Sequence, residues 1–471
     1  MTRVIGTGND RGHSGRVGVA LGVAVVAFVV GYVQKLPCDL AGWPSDRQVE
    51  YTRYCYSDIP LLFRERGLIA GIFPYAPQAW QHPLEYPVLT GDLMDLTARL
   101  TRALAPGGGD TQLVRLYFGV NVLVLLGLAL ATVAGVRTLL RRAGDSGTAA
   151  LLVAGAPVLV LTATINWDLL AVAAGVLALL VWDRDRPMLA GVLLGLGGAA
   201  KLFPLFILGP LLLICWRQRR MRAFGSAVAG AAMSWAIVNA PVALRYPDGW
   251  LEFYRFNTLR SGEVGSLWYA LSRMGYDVPA LNVVAPLSLL LLWAGIALLA
   301  WRAPRPPTPA QLTFLVIAAF LLTNKVYSPQ YVLWLLPFAV LARAGRPLPR
   351  VLPAWALWQA AEVWYWVMVW RHLADGHYLL GADGVLYVAA TFARLATTGY
   401  LAVRVLHEMA VDSPGHSRGD THPPTPAPGA KHTDLKGLPR SNGPSLATLD
   451  TDASAAGPLA SRNERSADNF T

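Results

Sequence analysis

The chain is 471 residues long, 54% hydrophobic and only 15% charged, with a formal net charge of +11 and a mean hydropathy of +0.41. That balance excludes an ordinary soluble globular protein, and the arginines scatter over turns instead of forming the patch a nucleic-acid binder needs. Apolar runs near the roughly 20 residues that a bilayer takes recur along most of the chain; because runs such as VLVLLGLALATVAGV do not alternate, they exclude a β-barrel and predict an all-α polytopic membrane protein.

Residues 1–16 are polar, with Arg3, Arg11 and Arg16 ahead of the first apolar run, as in the n-region of a signal peptide. No small-residue cleavage site precedes Lys35, so 17–33 reads as an uncleaved first helix. A long polar segment follows, 35–110, with YCYSDIP near its middle. Its amphipathic piece IPLLFRERGLIAG suits a helix lying flat on the interface. The next apolar runs are 113–136, ending at Arg137, Arg141 and Arg142; 149–165, leading to Asn166-Trp167-Asp168; 169–182, returning to Asp183-Arg184-Asp185-Arg186; 189–200, leading to Lys201; and 202–215, returning to RQRRMR. After them come 223–243 and a second large polar segment, 244–280. The last runs are 281–301, ending at Arg302 and Arg305; 311–323, leading to Lys325; 331–341, returning to Arg343, Arg346 and Arg350; 351–370, leading to His372 and Asp375; and 385–405.

Twelve crossings result, and nearly every turn on one side carries clustered arginine, which places that side and both termini in the cytoplasm. The chain thus divides into a cytoplasmic N-terminus (1–16), a transmembrane domain (17–406) with outer loops at 35–110 and 244–280, and a tail (411–471). The tail holds six Lys/Arg against seven Asp/Glu and is rich in Pro, Ser, Gly and Thr. It reads as disordered and cytoplasmic, because it cannot bury enough apolar surface to offset its ordering entropy. Several spans are short, which suits helices that kink or end inside a cavity.

Four outward polar clusters can carry chemistry. In Tyr56-Ser57-Asp58-Ile59, a carboxylate near the membrane surface can deprotonate a hydroxyl, or else cap a helix ahead of Pro60. Farther along the same loop, His82, Glu85 and Tyr86 suit an acceptor or a sugar, or serve as structural hydrogen-bonders. Asn166, Asp168 and Lys201 are polar groups between apolar runs, where a functional partner is the first reading. Lys201 suits a phosphate as a point charge; otherwise it snorkels or pairs with Asp168. In Asn324-Lys325-Val326-Tyr327-Ser328-Pro329-Gln330-Tyr331, eight mostly polar residues interrupt two apolar runs, as in a broken helix lining a cavity. There Lys325, Ser328, Gln330 and Tyr331 offer donors to an anion, or the stretch is a short loop with Pro at the next helix start. Cys38 and Cys55 share the first loop; if it faces an oxidising compartment a disulfide is reasonable, two free thiols being the other reading.

The first-loop YSDI, the KLFP turn after Ala200 and NKVYSPQY before a late helix resemble the GT-C membrane glycosyltransferases. Within them the resemblance is to glycosyltransferase family 87, the polyprenyl-phosphate-sugar-dependent mannosyltransferases and their arabinosyltransferase relatives in actinobacteria. NKVYSPQYVLWLLP is also similar to a segment of the eukaryotic mannosyltransferase that adds the first mannose of GPI anchors. The resemblance covers roughly residues 17–406 and is carried mainly by these motifs. It implies a GT-C-type bundle and Asp58 as catalytic base. It implies Lys325 as a contact to the donor phosphate; Lys201, Gln330 and Tyr331 are expected beside it there, with His82, Glu85, Tyr86, Asn166, Asp168, Asn324 and Ser328 near acceptor or sugar. Some relatives carry DxD in the first loop; here Pro60 stands two after Asp58, so no cofactor and no divalent metal are expected.

The expected activity is inverting transfer of a hexose, mannose first, from a polyprenyl-phosphate sugar to a glycolipid or cell-wall glycan on the outer face of the plasma membrane. The expected partners are that donor, that acceptor and membrane lipid, with no nucleic acid. Two alternatives stand beside it: an arabinosyltransferase with polyprenyl-phosphate arabinose, and, outside enzymes, a transporter or flippase of a lipid-linked sugar. One outward cavity holding Asp58, Lys201 and Lys325 favours the enzyme; a central two-sided pathway favours the transporter.

Overall fold

The computed structural model describes residues 11–44, 46–78, 84–375 and 382–411, so His82 and the tail beyond Val411 lie outside the described residues. Every described regular element is a helix, and all twelve predicted apolar runs fall on helices. Five are long and apolar enough to cross a bilayer by length and composition: Gly18–Leu40, Asp110–Arg142, Met221–Arg245, Leu281–Arg302 and Gly384–Val411. Six more apolar helices are shorter, from Thr148–Thr162 to Pro329–Leu341. The chain is a multi-pass membrane protein.

In chain order, α1 (Arg11–Leu40) leads into a folded loop containing α2 (Arg47–Thr52), α3 (Asp58–Glu65) and α4 (Val88–Leu104). Then come α5 (Asp110–Arg142), the short α6 (Leu151–Ala154) and α7 (Pro157–Thr162), α8 (Asp168–Trp182) and α9 (Pro187–Ala200). Next are α10 (Leu208–Arg217), α11 (Met221–Arg245), and α12 (Pro247–Leu259) with α13 (Leu267–Arg273) in the second polar segment. The chain continues with α14 (Leu281–Arg302), α15 (Pro309–Thr323), α16 (Val332–Leu341), α17 (Leu348–Ala374) and α18 (Ala382–Val411). The run read as one span over 149–165 is broken at Gly155-Ala156-Pro157, where proline cannot donate to the preceding turn.

Close helix packing holds the shorter apolar helices in place. On α9, a Cβ at Gly191 would stand 1.9 Å from the Ala227 carbonyl oxygen of α11, and one at Gly195 would stand 2.2 Å from that of Ala231. Their hydrogens let the two backbones touch, as small residues do where water cannot drive association. Ser234 Oγ closes the seam by donating to the Val192 carbonyl at 2.9 Å.

The first loop is pinned on several sides. Cys38, near the end of α1, is disulfide-bonded to Cys55, with Cα atoms 5.9 Å apart. Lys35 Nζ donates to the Tyr56 carbonyl at 2.7 Å. The piece expected to lie flat on the interface packs on protein instead. Ile59–Phe63 are buried, and Phe63 stacks on Tyr117 of α5 at 4.1 Å. Leu61 and Leu62 of the same face line the cavity described below.

Candidate active site

Asp58 is the first residue of α3 and not its cap. Ser57 caps the helix by accepting from the Ile59 N–H at 3.3 Å, while its own hydroxyl donates to the Thr164 carbonyl at 2.8 Å. The Asp58 N–H donates to the Ile165 carbonyl at 2.9 Å, which seats the start of α3 against the turn between α7 and α8. With Ser57 doing the capping, the Asp58 carboxylate turns into a cavity of about 330 Å³. A negative group in the first turn also suits the helix dipole.

Two neutral donors hold that carboxylate. Tyr56 OH donates to Oδ1, and Asn166 Nδ2 donates to Oδ2 at 2.9 Å. Asn166 Nδ2 also reaches the Tyr86 hydroxyl. Burial pushes the Asp58 carboxyl above its ordinary value, while the Tyr56 and Asn166 hydrogen bonds pull it back down. Burial likewise holds the Tyr56 phenol well above its ordinary value, so it remains a donor. Behind this wall, burial pushes Glu50 up to about 8, leaving it largely uncharged at neutral pH.

The other acids lining the cavity are matched by arginines. Glu85 accepts a fork from Arg66, with contacts of 2.9 to 3.2 Å, Glu263 accepts one from Arg260, and Glu65 lies 3.8 Å from Arg47. Among the described residues, Asp58 is the one cavity carboxylate with no ion pair. It is therefore the acid best placed to take a proton.

Lys201 enters the cavity from the extended residue that ends α9, where Thr90 of α4 donates to the Ala200 carbonyl at 2.8 Å. Its ammonium lies 3.3 Å from Asp168, which is fully buried at the start of α8 and also accepts from Trp334 Nε1 at 2.6 Å. The rings of Tyr86, Tyr331 and Trp334 surround it, their centroids 5.2, 5.1 and 5.9 Å away. Such a cage holds a cation in place without neutralising it further.

The matches to expectation are uneven. The cavity gathers Asp58, Lys201, Glu85, Tyr86, Ser328, Gln330 and Tyr331. Asn166 and Asp168 stand just behind it, on Asp58 and Lys201. Asn324 does not line the cavity; it is half-buried and donates to the Val326 carbonyl at 2.8 Å. Lys325 does not line the cavity; its ammonium is held by backbone carbonyls and by Asn282. His82 is outside the described residues. Sequence reasoning missed Arg47, Arg66 and Arg260. The available signal was that arginines break the outer-face pattern within the two long loops.

The segment carrying Ser328 to Tyr331 is fixed from behind by a fully buried arginine, Arg394 of α18. It donates to the Tyr327 carbonyl at 2.7 Å and the Ser328 carbonyl at 3.2 Å, and its Nε lies 2.9 Å from Glu362 of α17. Its guanidinium also covers the Tyr327 ring at 3.4 Å. Nearby, Gly265 adopts φ +86°, and a Cβ there would meet the Tyr327 carbonyl oxygen at 2.2 Å.

Residues 104–323 match glycosyltransferase family 87. The family 87 glycosyltransferase domain is shown over those residues. No curated protein matches the chain. The matched stretch includes Asn166, Asp168, Lys201 and Arg260, and it ends one residue before Asn324. Asp58 lies ahead of it and Ser328 to Tyr331 beyond it, so the cavity joins the family stretch to two flanking segments.

Proposed function

We propose that this glycosyltransferase moves a hexose, mannose first, from a polyprenyl-phosphate sugar to a glycolipid or glycan hydroxyl with inversion, on the outer face of the membrane. The observation that carries the reading is the shared cavity: an unpaired carboxylate, Asp58, with Lys201 and Arg260 in the same lining. A single displacement needs that pairing of a base for the nucleophile with cations for the leaving group.

In the proposed step, Asp58 accepts the proton of the acceptor hydroxyl as its oxygen attacks the anomeric carbon. The anomeric C–O bond to phosphate breaks, and its electron pair leaves with the phosphate. A phosphodiester with one negative charge becomes a phosphomonoester with up to two. Charge therefore grows on the leaving oxygen, where preorganised donors act most strongly. Lys201, Gln330, Tyr331 and Arg260 are assigned to that phosphate. Arg260 uses Nε and one terminal nitrogen on Glu263, which leaves the donors of the other. Tyr86, Glu85 and Ser328 are assigned to sugar or acceptor, with Asn166 holding Asp58. The twelve-span topology with the cavity outside rests on the arginine pattern, and the absence of DxD favours cationic side chains over a metal.

The test is full-length protein in detergent with polyprenyl-phosphate mannose and candidate glycolipids, the product being identified by mass and its anomeric configuration by NMR. A product heavier by one hexose, with inverted anomeric configuration, supports the reading. Transfer from polyprenyl-phosphate arabinose alone would change the donor, and retention of configuration would overturn the single displacement.

A further inference from the structure

Lys325 stands in the motif expected to grip the donor, yet it reaches a different target. Its ammonium donates to Asn282 Oδ1 at 2.5 Å and to the carbonyls of Arg260 at 2.8 Å, Asn257 at 3.1 Å and Thr258 at 3.4 Å. Those carbonyls belong to the C-terminal end of α12, where the last turn leaves acceptors without intrahelical partners and the helix dipole favours a cation. From the other side, the Glu263 N–H donates to the Lys325 carbonyl at 2.8 Å. One residue therefore holds the stretch 257–263 through both its side chain and its backbone.

Inside that stretch lie Arg260 and Glu263, which pair with each other and line the cavity. The backbone leaves the helix at Arg260, with φ −56° and ψ 136°, so helix geometry alone does not fix residues 261–263. An ammonium with three rotatable donors suits converging carbonyls.

We infer that Lys325 is a positioning residue that acts on the donor phosphate through Arg260 and does not touch it. This rests on the assignment of Arg260 to the donor phosphate above. Residues that act through one another give non-additive losses, whereas independent contacts multiply.

The test is titration of the detergent-solubilised full chain with polyprenyl phosphate, which keeps the phosphate whatever the sugar. The variants are Arg260→Ala, Lys325→Ala and the double variant, with thermal unfolding as the check that each is folded. Arg260→Ala should weaken binding about tenfold to a hundredfold, and Lys325→Ala by the same or less. The double variant should bind no more weakly than Arg260→Ala alone. Lys325→Met, which keeps the apolar stem and loses the charge, should behave as Lys325→Ala. Losses that multiply in the double variant would overturn the inference while leaving Arg260 its role. Wild-type affinity in Lys325→Met would reduce Lys325 to packing, and unchanged affinity in Arg260→Ala would overturn both assignments.

Discussion

Asp58 and Lys325 occupy comparable places in the sequence, each a charged residue in a polar break between apolar runs. They end in opposite situations. Asp58 faces the cavity, unpaired and held by two neutral donors, because Ser57 takes over the capping of α3. Lys325 faces away, because the carbonyl end of α12 offers it several acceptors at once. The contrast shows that a charge at a helix break marks a site only after its local hydrogen-bonding partners are counted. Where the backbone offers the better partner, the charge serves the backbone.

The largest effect is expected from removing a cation that does face the cavity. Lys201→Ala leaves Asp168 buried without its ion partner, a loss of about 3–5 kcal/mol of stability, and it also removes a proposed phosphate contact. Thermal unfolding should show the first effect. Lys201→Ala/Asp168→Asn should recover the fold but not the activity; recovery of both would leave Lys201 a purely structural role. Next in size is Arg394→Ala, which strands Glu362 and frees the carbonyls of Tyr327 and Ser328. It should also cost about 3–5 kcal/mol, whereas a paired replacement, Glu362→Leu with Arg394→Met, should unfold nearer the wild type.

The surroundings of Asp58 give a smaller, signed prediction. Tyr56→Phe removes a donor that stabilises the ionised carboxylate. The acid limb of the pH profile of kcat/KM should therefore move to higher pH, and an unmoved limb would assign it to another group. Stability carries its own pH dependence through Glu50, raised by burial from 4.5 to about 8. The folded state favours the protonated acid, so its contribution is fully present below the unfolded value and is lost as pH rises towards 8. The Tm should fall over that window, and Glu50→Gln should flatten the slope. The smallest effect is expected from a chelator, which should leave turnover unchanged if cationic side chains alone steady the phosphate.

Much of the fold was legible because lipid imposes a simple rule: apolar runs of helical length must become helices. All twelve runs did, and the short ones end near polar clusters. Asp58, Lys201, Gln330 and Tyr331 were legible as polar residues at helix breaks, and the cavity gathers them. The features that were not legible depended on contacts distant in sequence. Arg260 meets the cavity only because α12 ends beside Lys325, 65 residues away. Arg394 lies within an apolar run, and nothing local shows that it reaches back to Tyr327. Arg47 and Arg66 sat in plain view in the first loop, but their role appears only once Glu65 and Glu85 are seen to answer them.

If Asp58 takes the acceptor's proton, Asp58→Asn should all but abolish turnover without disturbing donor binding. The amide keeps size and shape but cannot serve as the base; its NH2 replaces one of two acceptor oxygens, which the Tyr56 hydroxyl can meet by turning to accept, and it removes a charge that burial disfavours. Turnover by the purified variant should fall about 10²–10⁴-fold, while affinity for polyprenyl phosphate stays at the wild-type value and Tm does not drop. Near-normal turnover in that folded variant would contradict the account and move the search to the paired carboxylates of the same loop, beginning with Glu85.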